Sequence, residues 1–186
     1  VKVIGKRFEY GDTQISIIGK LIDKPLSHKK KGTKAIKSAE SAPSSSKFSE
    51  VIEFNNRDRK YKWLGTFNLG KKFKFQSREY VTIEHAINAQ KNQDPDFQDL
   101  FTKGADSYIG DIASVAKKTG NKTNMKKMKK KMIPNWEKES LRYMKEILIQ
   151  YYQANPDLKK KLMETGDSEL IYRGPGADSF WGMKQG

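Results

Sequence analysis

The chain has 186 residues, 35% of them hydrophobic and 11% aromatic, which suits one domain with appendages better than two full domains. It has no cysteine, so disulfides, zinc-thiolate sites and thiol catalysis are excluded. Its formal net charge is +15, a field that attracts polyanions such as nucleic acid or phosphate-bearing ligands.

Residues 1–22 read as two strands around Gly11-Asp12, a hairpin carrying Val1, Val3, Phe8 and Tyr10 and then Ile15, Ile17 and Ile18. Residues 23–49 are rich in Lys and Ser, with too few apolar side chains to offset the entropy of ordering. They read as a flexible linker, either a solvated tether or a basic arm on nucleic acid, with His28 exposed on it. Residues 50–186 carry the remaining pattern and form the expected main domain.

Within 50–81, the runs Val51-Ile52-Glu53-Phe54, Tyr61-Lys62-Trp63-Leu64, Phe73-Lys74-Phe75 and Tyr80-Val81 predict short strands of one small antiparallel or mixed sheet. Thr82 is placed to cap a helix carrying Glu84 in its first turn, with Ile83, Ala86, Ile87 and Gln90 at helical spacing. Asp94-Pro95-Asp96 ends that helix or starts another. A further helix is predicted over 105–117, with Ala105, Tyr108, Ile109, Ile112 and Ala116 on one stripe and Gly120 closing it. Eight lysines without an acid follow in 117–131, either a solvated face or a surface for phosphate backbones. No aromatics are interleaved with them, so base stacking is not indicated there.

Residues 135–154 predict the longest helix, capped by Asn135, with Trp136, Ser140, Tyr143, Met144, Ile147 and Tyr151 on its apolar stripe. Asn155-Pro156 starts another that buries Leu158, Leu162 and Met163 and stops at Thr165-Gly166. Glu169-Leu170-Ile171-Tyr172 reads as a returning strand, and the loop after it delivers Asp178. The fold class is therefore α+β, a mostly helical domain packed on a small sheet. No apolar run approaches the roughly 18 residues of a membrane span, and the first residues lack a signal-peptide core, so a cytoplasmic location without membrane partners is expected.

The chemistry concentrates in two stretches. Glu84 and Lys91 lie seven positions apart, about 700° of helix, so they share a face about 10 Å apart along the axis, while His85 points elsewhere. A carboxylate beside a sugar can act as acid, base or oxocarbenium stabiliser, and an amine can attack a ring-opened sugar aldehyde. From the residues alone, the same two are more readily a first-turn dipole partner and an exposed helix end. The second stretch is Asp178-Ser179-Phe180-Trp181-Gly182, in which Trp181 could stack on a planar ring with Gly182 allowing close approach, or pack as a core residue beside a turn capped by Asp178. No phosphate loop, dinucleotide fingerprint or metal cluster is present, so neither cofactor nor metal is expected.

Read together, these segments resemble the NADAR superfamily of YbiA-like proteins. The resemblance rests on Tyr80-Val81-Thr82-Ile83-Glu84-His85 with Ala89-Gln90-Lys91, then Trp136 and Met144, then Asn155-Pro156-Asp157-Leu158, then Thr165-Gly166-Asp167-Ser168-Glu169-Leu170, and last Asp178 to Gly182. It implies an N-glycosidase acting on ribosyl–nitrogen bonds, either in phosphorylated riboflavin-pathway intermediates or where ADP-ribose is attached to guanine. Carried over by motif, Glu84, Lys91 and Asp178 become catalytic, and Trp181, Gly182, His85, Phe67 and Thr66 substrate-binding. Lys126, Lys127, Lys129 and Lys130 are the expected contacts to DNA or RNA. A non-catalytic reader of ADP-ribose or nucleic acid is the alternative. The family's S-N-F is replaced by Gly65-Thr66-Phe67, its D-W by Asn135-Trp136, and its second Gly after W-G by Lys184.

Overall fold

In the computed structural model, residues 50–174 and 183–184 are described. The expected hairpin over 1–22, the linker over 23–49 and the segment with Asp178, Trp181 and Gly182 lie outside the described residues.

The alternating run after Glu50 forms β1 (Val51–Phe54), which pairs in parallel with β4 (Glu169–Gly174) in the register Val51↔Glu169 to Phe54↔Tyr172. β5 (Met183–Lys184) adds to the other edge of β4, also in parallel, giving the order β1-β4-β5. A parallel pair requires a crossover, and here the crossover is the whole helical body of the domain. Phe54 meets Tyr172 edge to face at 5.6 Å, and Arg173 pairs with Glu53 at 2.6 Å, fastening the ends of that body together.

β2 (Phe73–Phe75) and β3 (Arg78–Tyr80) form a separate antiparallel hairpin. Its turn residues Gln76 and Ser77 have φ of 48° and 68°, the left-handed pair that a two-residue turn of matching twist demands, without the usual Asn-Gly. The single sheet expected over 50–81 is thus two sheets. The strand expected at Tyr61–Leu64 is instead a 3₁₀ turn over Lys62–Leu64. Asp58 causes the difference: its carboxylate accepts from Tyr61 N at 2.5 Å and its carbonyl from Lys62 N at 3.2 Å, which curls the chain.

Among the described residues, six α-helices follow the hairpin. α1 (Ile83–Ala89) is buried at every position, so its polar residues are interior groups. α2 (Pro95–Asp99) opens with Asp94 accepting from Asp96 N and Phe97 N and with Pro at its first turn. α3 (Ala113–Thr119) is half of the helix expected from 105 onward. Gly104 and Gly110, at φ of 90° and 89°, break the path, and Asp111 ties Lys103 and Tyr108 into a loop. Ile112 is consequently 63% exposed and not part of an apolar stripe. Gly120 does close the helix, donating to Ala116 O.

α4 (Lys122–Lys127) carries the densest lysine run. α5 (Trp136–Ala154) buries the expected Ser140, Tyr143, Ile147 and Tyr151, although Asn135 enters it left-handed with no side-chain cap. α6 (Pro156–Glu164) buries no residue fully; Leu158 and Leu162 are half-buried and Met163 is 49% exposed, which corrects the buried trio expected there. The core lies where α1, the β2–β3 hairpin, α2 and α5 meet, around Phe73, Tyr80, Ile83, Phe97, Phe101, Ile147 and Tyr151. The α+β class read from the sequence is the observed one.

Candidate active site

The wall of the site is α1, and Thr82 starts it. The Thr82 hydroxyl accepts from His85 N at 3.2 Å and lies 2.7 Å from His85 Nδ1, while Nε2 lies 2.9 Å from the Gly110 carbonyl. A carbonyl only accepts, so Nε2 carries the proton and Nδ1 accepts from the threonine hydroxyl. Burial pushes the imidazole pKa below its ordinary value, against the raising effect of the Gly110 bond. His85 is 0% exposed with both nitrogens used inside the protein. It therefore locks α1 to the 110 loop.

One residue earlier, Glu84 is 9% exposed. An unpartnered carboxylate at such a place would be costly, and this one is well supplied. Thr66 Oγ1 donates to Oε2 at 2.8 Å, Asn88 Nδ2 donates to Oε1 at 3.0 Å, and Glu84 N donates to Thr66 O at 3.0 Å. The helix amino terminus adds a favourable field. Thr66, expected to touch substrate, is thus the residue that aims the carboxylate.

Asn88 continues the chain of contacts. Its Nδ2 also donates to Glu84 O at 2.8 Å, and its Oδ1 accepts from Lys91 Nζ at 2.6 Å. Lys91 Nζ also donates to Gly120 O at 2.8 Å and stands 6.0 Å from the Trp136 ring centre. Gly120 is demanded by space: a Cβ there would collide with Oδ1, Cγ and Cβ of Asn88. The end of α3 therefore presses on the amide that joins Glu84 to Lys91. Neither Asn88 nor Gly120 is on the list of site residues read from the sequence. The signal was present, because position 88 is one turn from both 84 and 91.

The loop that carries Thr66 and Phe67 is held by three other asparagines. Asn56 Oδ1 accepts from Phe67 N at 3.4 Å while its Nδ2 donates to Tyr172 OH at 3.1 Å. Asn68 Nδ2 donates to Tyr151 OH at 2.8 Å, and Asn155 Oδ1 accepts from Lys71 N at 2.6 Å. Asn155 thus ties down this loop in place of capping α6. Phe67 is half-buried, lines a cleft of about 270 Å³ with Asn56, Lys62, Asn68 and Leu69, and has Lys117 Nζ at 5.9 Å from its ring. The 117–131 lysines are not a uniform free face: Lys130 pairs with Asp94, whereas Lys126, Lys127 and Lys129 are exposed. Among the described residues, no three potential metal ligands converge, and no helix is long and apolar enough to cross a membrane.

The arrangement offers a buried carboxylate at the start of α1 and a lysine amine just past its end, both held by neutral hydrogen-bonding groups. Such a pair can stabilise a cationic sugar and engage its hydroxyls or carbonyl carbon. The fold is similar to the NMR structure of the E. coli protein YbiA, at a TM-score of 0.59 and 20% identity over 74% of each chain. No match is found among curated proteins. The NADAR domain matches residues 36–186, which begins before the boundary at 50 expected from the sequence. The chain therefore belongs to the NADAR family.

Proposed function

We propose that the protein is an N-glycosidase, hydrolysing the bond between C1′ of a ribose and a nitrogen of a base. The substrate class is an ADP-ribosylated or ribose-phosphate-bearing base, with ADP-ribosyl-guanine the leading candidate. One observation carries this reading: Glu84 in the first turn of the buried α1 and Lys91 just past its C-terminal end, opposite in charge type, are joined through Asn88.

Cleavage breaks C1′–N with the electron pair leaving on the base nitrogen, which then takes up a proton. Positive charge develops on C1′ and the ring oxygen, and the Glu84 carboxylate is the group that offsets it. Water adds to C1′ and gives up a proton, and Glu84 is the base within the site to receive it. Lys91 engages the ribose, either through its N–H donors to a hydroxyl or by attack on the opened aldehyde. By motif, Asp178 supplies the second carboxylate, Trp181 the ring beside the leaving base, and Gly182 the close approach. Thr66 positions Glu84, and Phe67 borders the cleft.

Incubation with ADP-ribosylated guanosine and with phosphorylated riboflavin intermediates, followed by chromatography of the released base, tests the reading. Release of free base with an equivalent of ribosyl product supports it. Tight ADP-ribose binding with no release from either substrate contradicts it in favour of a reader module.

A further inference from the structure

We propose that a basic groove between the 3₁₀ turn and α6 holds single-stranded nucleic acid and leads it to the Glu84–Lys91 wall. It rests on the glycosidase reading for what happens at that wall, although binding in the groove does not.

The groove has a volume of about 510 Å³ and is lined by Arg59, Lys60, Lys62, Lys71 and Lys161 around Trp63. All five cations are exposed, and no ion pair links any of them to a carboxylate among the described residues. Asp157 is the acid on its wall. Five exposed cations against one acid around a concave surface set up a positive field that favours a polyphosphate over a single carboxylate or phosphate. Trp63 is half-buried, and Leu69, also on the lining, is 62% exposed. A planar ring among cations is the arrangement that receives an unpaired base between phosphates, and a duplex keeps its bases stacked away from such a ring.

The groove also has a direction. Lys62, Asn68 and Leu69 line both it and the smaller cleft that Phe67 closes. Phe67 follows Thr66, whose hydroxyl holds the Glu84 carboxylate. A strand that leaves the groove through this cleft would pass along the loop that aims the carboxylate, and the anchors at Asn68–Tyr151 and Asn155–Lys71 hold that loop in place. The lysines at 126, 127 and 129, in contrast, have no aromatic interleaved with them, so the groove and not this run is the main contact proposed.

Fluorescence anisotropy with a labelled oligothymidylate of about ten nucleotides tests this. Lys62→Glu/Lys161→Glu is expected to weaken binding at least tenfold and to reduce the slope of log affinity against log salt by about 1.4, since each single-strand phosphate contact contributes about 0.7. Trp63→Ala is expected to weaken binding about tenfold, with Trp63→Phe retaining most of the affinity. Lys126→Glu/Lys127→Glu is expected to stay within about threefold. Full affinity in the groove double variant, full affinity in Trp63→Ala, or equal binding of a blunt duplex would each overturn the proposal. Groove-dependent binding by a protein that releases no base would sink the glycosidase reading alone. Turnover of free ribosyl compounds without groove-dependent binding would sink the groove alone.

Discussion

Lys91 Nζ donates to Asn88 Oδ1 at 2.6 Å. The other end of the same amide holds Glu84 at 3.0 Å, so one neutral side chain sets the geometry between a carboxylate and an amine. Such a bridge fixes the position of each group relative to the other through a side chain that carries no charge.

Replacing that amide is the most informative structural change. Asn88→Ala leaves a buried carboxylate oxygen without its donor and removes an acceptor of Lys91. Each lost partner costs about 1–3 kcal/mol. Urea unfolding is expected to show a loss in that range, and base release to fall by at least tenfold. Asn88→Asp places a second carboxylate beside Glu84, and is expected to lose more activity than Asn88→Ala.

Gly120→Ala adds one methyl group that meets Asn88 before it meets any substrate. Overpacking of this kind costs about 1–3 kcal/mol. The expected outcome is reduced activity together with a lower melting temperature, and a second change, Asn88→Ser, is expected to recover part of the stability by making room. Equal melting temperatures for wild type and Gly120→Ala would contradict the close approach.

Thr66→Val keeps the shape of the side chain and removes the hydroxyl that donates to Glu84 Oε2. Loss of one hydrogen bond to a charged group corresponds to about 1.5–3 kcal/mol. Turnover is expected to fall roughly tenfold or more, while Thr66→Ser is expected to retain it. Parallel steady-state kinetics of the two variants checks this.

How the sequence foreshadowed this arrangement depends on what kind of signal each element carries. Thr82 as cap, the α5 stripe and the returning strand at 169–172 were legible because local periodicity and capping chemistry dictate them. The 3₁₀ turn at Lys62–Leu64 was misread because a single Asp58 side chain outweighed a weak alternation. The helix from 105 was overextended because Gly104 and Gly110 take left-handed φ that an apolar stripe does not reveal. Glu84 and Lys91 were expected on one helix, but α1 ends at Ala89 and Lys91 lies in the turn beyond; what joins them is Asn88, one turn from each. The contributions of Asn56, Asn68, Asn155 and Gly120 were illegible, because they depend on contacts between segments tens of residues apart.

His85 makes stability pH-dependent. The folded ring is neutral, and burial holds its pKa below the ordinary 6.5. The unfolded chain therefore binds more protons than the folded one as pH falls below about 6.5, so stability is complete above that value and declines beneath it until the folded ring also titrates. Melting temperature is expected to drop between about pH 6.5 and 5 in the wild type. His85→Gln is expected to be less stable at pH 7.5, with a shallower decline over that window. Identical pH profiles would contradict the buried neutral imidazole.

The account stands or falls on Glu84 and Lys91 acting on a ribosyl–nitrogen bond. The direct measurement is single-turnover release of base from an ADP-ribosylated guanine substrate by wild type, Glu84→Gln and Lys91→Ala, each confirmed folded by its melting curve. The account predicts measurable release by the wild type and losses of about a hundredfold or more in both variants, as removal of a general acid or base typically gives. Unchanged release by either folded variant would contradict it.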